Sequence, residues 1–517
     1  DDVHYIGGCL LASDMLPWAS VMLAANGRPP DPAVVGDAWR GMWLERLERQ
    51  TPWVEEWVGH QRRDAYWQHG SVCEDYDAIE VPVYMVGGWN DGYPNAIPRF
   101  LAGHRGPRKG LIGPWAHLYP HHALPHPQIG FLQECIRFWD HCLKGADNGI
   151  MDEPMLRAWL QEPMPPAAGY EERPGRWVAE PVWPPADPAE LRLHLAADGL
   201  RAEPGAPAMR TVASDERQGR DAGNWIGWGR DTDWPTDQRF EDALALTFDS
   251  EPLDDDVEVL GFAEVGLRIS SDRPCAFVAV RLCEVAPDGA STLVTRGILN
   301  LTHRRSHAEP EPMTPGQAED VVVQLKTLGH RFARGSRLRV AITPGYWPWI
   351  WPSPTRVELA VEAGEGSWLA LPVRAPRPED DALAPFGPPV AAPPPAFERL
   401  PHRPFKRTAV EDVGTGRMEV VNDFDFFGSR RLPDGLEYTE SARDRFAITQ
   451  GDPLSAEVEC TWEMSVGRGA WRTRIATRSR MTATATHFVL TNDLEAYEGA
   501  QRVFAQSRVR EIPRDLV

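Results

Sequence analysis

The sequence predicts an α/β unit with a short parallel sheet, followed by two all-β units. Three observations point to this. Val81 to Gly88 (VPVYMVGG) and Lys109 to Gly113 (KGLIG) are short apolar runs without polar alternation, the pattern of parallel strands covered on both faces. From about residue 154 to 375, brief alternating runs such as Ala263 to Ile269, Cys275 to Cys283, Val321 to Leu325 and Arg337 to Thr343 are parted by Pro, Asp and Gly turns, the mark of a β-sandwich. Beyond the Pro/Ala-rich stretch that ends near Pro404, Met418 to Val421, Ala456 to Met464, Thr473 to Thr477 and Thr486 to Thr491 predict a further β-rich unit.

In chain order, residues 1–70 read as a helical, tryptophan-rich region with Trp18, Trp39, Trp43, Trp53, Trp57 and Trp67. Residues 71–150 hold the parallel strands. Asn95 to Gly103 predicts a short amphipathic helix between them. Gln128 to Lys144 places Leu132, Cys135, Ile136, Trp139, Cys142 and Leu143 on one stripe, with Gly145 at the helix stop, and predicts a helix packed on the sheet. Residues 154–375 are the sandwich, 376–404 a semi-rigid linker and 405–517 the C-terminal β-rich domain.

Composition bounds the function. The 517 residues carry 75 acidic and 54 basic side chains, a formal charge of −21 and a pI near 5.2, which disfavours nucleic acid and anionic membrane as partners. No stretch approaches the ~18 apolar residues of a membrane span. Seven cysteines without a C-x-x-C pair predict a reduced, cytoplasmic setting.

The chemistry-bearing residues follow the two apolar runs. Asp91 lies in Gly87-Gly88-Trp89-Asn90-Asp91-Gly92-Tyr93, and His117 closes Gly113-Pro114-Trp115-Ala116-His117. Each follows the carboxyl end of a strand, where open parallel sheets place their sites. An acid followed by a histidine is the order of the second and third members of a Ser-Asp-His triad, in which the carboxylate fixes the imidazole tautomer and the imidazole takes the serine proton. Asp91 also fits a plain turn residue in Asn-Asp-Gly, and His117 a buried histidine. No G-x-S-x-G occurs in the chain. Ser71 and Ser465 are the nearest replacements, and neither has flanking glycines on both sides or a strand-to-helix setting.

His121, His122 and His126 are separated by prolines that break the helical spacing of a two-histidine metal site, so no metal is expected. Tyr346-Trp347-Pro348-Trp349-Ile350-Trp351 reads either as a loop walling a pocket or stacking on a sugar, or as a plug at a domain interface. Trp89 and Tyr93 beside Asp91, with Trp347 and Trp349, are the candidate substrate-binding residues.

These motifs, with Phe138-Trp139-Asp140-His141-Cys142-Leu143-Lys144-Gly145, Phe248-Asp249-Ser250-Glu251-Pro252-Leu253, Pro287-Asp288-Gly289 and Gly335-Ser336-Arg337-Leu338-Arg339-Val340, resemble the CocE/NonD α/β-hydrolases, which include X-prolyl dipeptidyl peptidases, cocaine esterase and cephalosporin acylases. The resemblance covers about residues 1 to 375. It implies an α/β-hydrolase remnant, made of terminal parallel strands and a helical cap, followed by a jelly-roll β-sandwich and a C-terminal β-rich domain. It also implies Asp91 as acid and His117 as base of a serine hydrolase that cleaves an ester, amide or X-Pro bond through an acyl-serine, with no cofactor. The expected partners are a small-molecule or short-peptide acyl substrate and an N-terminal segment that carries the missing nucleophile. The chain alone is then expected to be inactive and prone to aggregate. The alternative is a non-catalytic carbohydrate-binding or scaffold protein that uses the jelly roll.

Overall fold

A computed structural model describes residues 4–517. Three parallel strands form its α/β part: β1 (Val83–Gly88), β2 (Arg108–Gly113) and β3 (Leu156–Gln161), with β2 between the other two. Helix α2 (Ala96–Gly103) crosses from β1 to β2 and buries Ile97, Phe100 and Leu101. Beyond β3 the sheet continues into the β-sandwich through Leu328–Phe332 and Gly175–Glu180, whereas β1 ends the sheet and pairs only with β2 among the described residues.

The sandwich core lies between this extended sheet and a four-stranded antiparallel sheet in the order Leu246–Asp249, Arg337–Thr343, Phe277–Val285, Ser291–Asn300. Val265, Leu267, Ile269, Val278, Val280, Leu282, Val340 and Ile342 fill it. Phe277–Val285 is buried along all nine residues, because other parts of the chain cover both of its faces.

The C-terminal part is a nine-stranded antiparallel sheet dominated by long hairpins. Its main strands are β4 (Arg417–Phe424), β5 (Glu437–Thr449), β6 (Asp452–Arg468), β7 (Trp471–Ala483), β8 (His487–Glu498) and β9 (Gln501–Pro513). Alternate residues of β6, from Ala456 through Val458, Cys460, Trp462, Met464 and Val466, are buried on one face. That face packs on α1 (Ala12–Asn26), whose sequence ASDMLPWASVMLAAN is apolar nearly all round, as a helix enclosed by other elements should be. Leu16 and Ala19 join Phe446, Val458 and Phe488, while Val21, Leu23 and Ala24 join Phe424, Trp462 and Ile475. The helical region at the start of the chain is therefore joined to its far end.

Helix α3 (Phe131–Lys144) forms with Gly145 as a left-handed stop at φ 66°, the conformation that favours glycine there. Its packing differs from expectation. The buried residues are Glu134 and Phe138, while Ile136, Trp139 and Leu143 of the apolar stripe are 59, 52 and 75% exposed. The period gave the stripe correctly, but the described residues supply nothing to cover it. The Pro/Ala-rich stretch is mostly exposed and is tied down where Gly130 N–H donates to Gly387 O and the Arg157 guanidinium lies 3.7 Å above the Phe386 ring.

Candidate active site

Parallel pairing of β1 with β2, Gly88 opposite Gly113, brings the two carboxyl-terminal loops together. Trp89 N–H donates to Gly113 O, and Asn90 N–H to Trp115 O. The glycines are required by this closeness. A Cβ on Gly88 would lie 2.0 Å from Trp115 O, and one on Gly113 would lie 2.5 Å from the Trp115 ring. Asp91 then ends a turn back to Gly88 O, and His117 is fixed by its N–H to Gly227 O at 2.7 Å.

His117 Nδ1 lies 3.0 Å from both carboxylate oxygens of Asp91. The Asp91 side chain is largely buried and that of His117 partly exposed. The hydrogen bond to Asp91 raises the His117 pKa above its ordinary value against the opposing effect of desolvation. Among the described residues nothing bonds to Nε2. A carboxylate on Nδ1 puts the neutral ring's lone pair on Nε2, the atom a general base uses. The imidazole is flanked by Tyr93, with ring centroids 5.8 Å apart, and by Trp228, edge-on at 5.1 Å.

His117 and Tyr93 line a cavity of about 160 Å³ together with Trp225 and Trp228 from a sandwich loop, Asp14 and Trp18 from α1, and Phe424, Phe446 and Trp462 from the C-terminal sheet. Of the expected binding residues, only Tyr93 lines it. Trp89 is buried, its indole N–H donating to Trp159 O. Trp347 and Trp349 are a correction to the expected pocket wall. They are 1 and 2% exposed; Trp347 packs with Trp351 and Phe446, and Trp349 with Trp225 while donating to Gly223 O. The aromatic run is drawn inward from two sides: the C-terminal sheet covers Trp347 and Trp351, while the sandwich and its Trp225 loop cover Tyr346, Trp349 and Ile350. Neither Ser71, whose hydroxyl bonds Trp67 O, nor Ser465 lines the cavity; Ser13 does, with its hydroxyl on Asp14.

Sequence reasoning missed Lys326. Its ammonium bonds the Asp91 carbonyl from the sandwich, and burial, with Arg296 nearby, holds its pKa down to about 7. The adjacent Thr327 N–H donates to Asn95 Oδ1 at 2.8 Å. The sandwich thus clamps the loop that carries the acid. A single lysine in Gln324-Leu325-Lys326-Thr327 carries no local signal of this contact. Asp444 was missed too, although a charged residue at an inward position of β5, between Ala442 and Phe446, is visible in the alternation.

A buried carboxylate orienting a histidine beyond two parallel strands is the acid–base half of a hydrolase triad in geometry. Residues 1–119 match the X-Pro dipeptidyl-peptidase (S15 family) model, and residues 148–376 match the X-Pro dipeptidyl-peptidase C-terminal non-catalytic domain. Similar proteins include a Mycobacterium bovis relative whose name places it among serine esterases, 29% identical over 66% of this chain and 54% of that one. Cocaine esterase of Rhodococcus sp. is 23% identical over 66% of each chain. Among solved structures, an α-amino acid ester hydrolase superposes with a TM-score of 0.55 at 21% identity, covering 72% of this chain and 70% of that one. A CocE/NonD family hydrolase from Staphylococcus aureus gives 0.53 at 12% identity over 72 and 65%. The chain belongs to the CocE/NonD and X-Pro dipeptidyl-peptidase family of serine hydrolases. It spans about half the length of the mycobacterial relative.

Proposed function

We propose that this chain is the acid–base part of a serine hydrolase, with Asp91 orienting His117 and His117 serving as general base and then general acid on an ester, amide or X-Pro bond. The nucleophilic serine and its oxyanion donors come from an α/β segment outside these 517 residues, and the chain alone is inactive. The observation that carries this reading is the Asp91–His117 pair, with Nε2 unengaged beside an aromatic cavity. In the first step His117 Nε2 accepts the serine proton as the hydroxyl oxygen bonds the acyl carbon. The imidazolium, stabilised by Asp91, then returns that proton to the leaving group.

Two surfaces support a segment from outside. Among the described residues the outer edge of β1 is unpaired, and Ile136, Trp139 and Leu143 of the α3 stripe stand in solvent. A parallel strand edge and an uncovered stripe are costly to leave bare. In this reading the α/β unit is the terminal portion of a hydrolase domain and the sandwich its jelly-roll companion. The carbohydrate-binding alternative loses its anchors, since the Trp347 and Trp349 indoles are buried. The test is reconstitution: fusing or co-expressing the N-terminal half of a full-length relative should create esterase or Xaa-Pro amidase activity that His117→Ala abolishes. Activity that survives His117→Ala would overturn the assignment.

A further inference from the structure

The matched family regions end at residue 376, yet the cavity beside His117 is closed by residues beyond that point. Phe424, Phe446 and Trp462 face it from three adjacent strands of the C-terminal sheet, and Trp18 faces it from α1. An apolar cavity of about 150 Å³ holds one benzene ring. At about 160 Å³ this one fits a single aromatic-sized group.

One part of the lining is polar. Asn422 on β4 and Asp444 on β5 are direct cross-strand partners, 9 and 5% exposed, and Oδ1 of each has no hydrogen-bond partner. Asp14, in the first turn of α1, lines the same cavity and takes a hydrogen bond from Ser13. Among the described residues no lysine or arginine forms an ion pair with Asp14 or Asp444. Burial pushes both carboxyls up to about 7. Unpaired buried acceptors cost free energy in the empty protein, and a ligand that supplies donors recovers it. Two arginines also line the cavity: Arg407 donates through Nη1 to Asn224 Oδ1 while its Nη2 has no partner, and the Arg230 guanidinium lies over the Phe405 and Trp228 rings.

We infer that this cavity is a substrate side-chain pocket whose far wall is the C-terminal sheet, and that it takes an aromatic-sized group ending in an N–H or O–H donor that bonds Asp444 and Asn422. The inference rests on the reading of His117 as the base, which puts the scissile bond at the cavity's His117 end. The C-terminal sheet is then a determinant of specificity rather than an appendage.

The test is calorimetric titration of the full chain at about pH 8 with 4-methylbenzylamine, 4-methylbenzyl alcohol, p-xylene and 4-methylbenzoate. The amine and the alcohol should bind at least tenfold more tightly than p-xylene or the benzoate. Phe424→Trp, which fills the cavity, should weaken both donors at least tenfold. Asp444→Asn, which keeps shape and an acceptor but removes the charge, should weaken the amine tenfold and the alcohol far less. Trp18→Ala, at the partly exposed wall, gives a third variant should either inner one fail to fold. Benzoate or p-xylene binding as tightly as the donors, no millimolar binding by any probe, or donor binding unchanged in all folded variants would overturn the inference. Because the readout is binding without turnover, a negative result counts against the pocket, and a failed reconstitution counts against the triad.

Discussion

Helices α1 and α3 end in opposite circumstances. α1 is apolar on nearly every face and packs on the C-terminal sheet, so most of its apolar surface is covered within the chain, with Trp18 left partly exposed. α3 has a clean amphipathic period, yet its apolar stripe faces solvent while Glu134 and Phe138 take the interior. Among the described residues one sheet has its covering helix, while the apolar stripe of α3 stays open. The difference teaches that the uncovered surface lies in the part that carries Asp91 and His117, while the part beyond the matched family regions is closed and walls the cavity.

The sharpest break of this comparison is chemical. In the reconstituted enzyme Asp91→Asn should lower turnover by up to ~10⁴-fold, because the amide favours the wrong imidazole tautomer, and His117→Ala should cost at least as much. His121→Ala, one turn beyond in a loop, should change turnover by less than about threefold. Steady-state kinetics on p-nitrophenyl acetate and a Xaa-Pro anilide would read both.

Next in size is the packing contrast. Leu16→Ala in α1 should destabilise the chain by about 2–5 kcal/mol in urea unfolding, the usual cost of emptying a core leucine site. Ile136→Ser on α3 should stay within about 0.5 kcal/mol in the same assay, since that side chain is mostly exposed, but should abolish assembly with the N-terminal segment. Equal effects of the two substitutions would erase the distinction between a covered and an uncovered helix.

The smaller effects depend on pH. Burial raises the Asp14 and Asp444 carboxyls from an ordinary 3.8 to about 7, so between those values the folded chain holds more protons than the unfolded one. Stability should therefore fall as pH rises from about 4 to about 7, at most ~1.4 kcal/mol per unit for each fully shifted group. Asp444→Asn should flatten the melting temperature's pH profile over that range. His117 acts in the same direction through a different cause. Its raised pKa favours the ion pair with Asp91 at low pH, and that contribution is lost as pH rises through the folded value, while the base becomes competent over the same rise. The acid limb of kcat/KM in the reconstituted enzyme should lie above pH 6.5, and Asp91→Asn should move it down.

Much of the catalytic neighbourhood was legible because it is local. The runs at 81–88 and 109–113 became strands Val83–Gly88 and Arg108–Gly113, and the helix placed at 95–103 formed at Ala96–Gly103. A strand, helix and strand within 31 residues bring the Asp91 and His117 loops together, and distant contacts from Gly227 and Lys326 then hold them there. Packing partners were not legible. Nothing in Ala12–Asn26 announces that it meets Val458 or Phe488, because contacts at such separation leave no local period. Trp347 and Trp349 stayed between pocket wall and interface plug for the same reason: an aromatic run looks alike whether a ligand or distant parts of the chain cover it. The same blindness hid Lys326 on Asp91.

The central claim is most directly tested by fluorophosphonate labelling, followed by peptide mapping, of the chain alone and of the chain joined to the N-terminal half of a full-length relative. No serine should be labelled in the chain alone. In the joined protein one serine should be labelled, in the added segment, with labelling strongly slowed by His117→Ala. Stoichiometric labelling of the chain alone, above all at Ser13 in the shared cavity, with hydrolysis that requires His117, would contradict it.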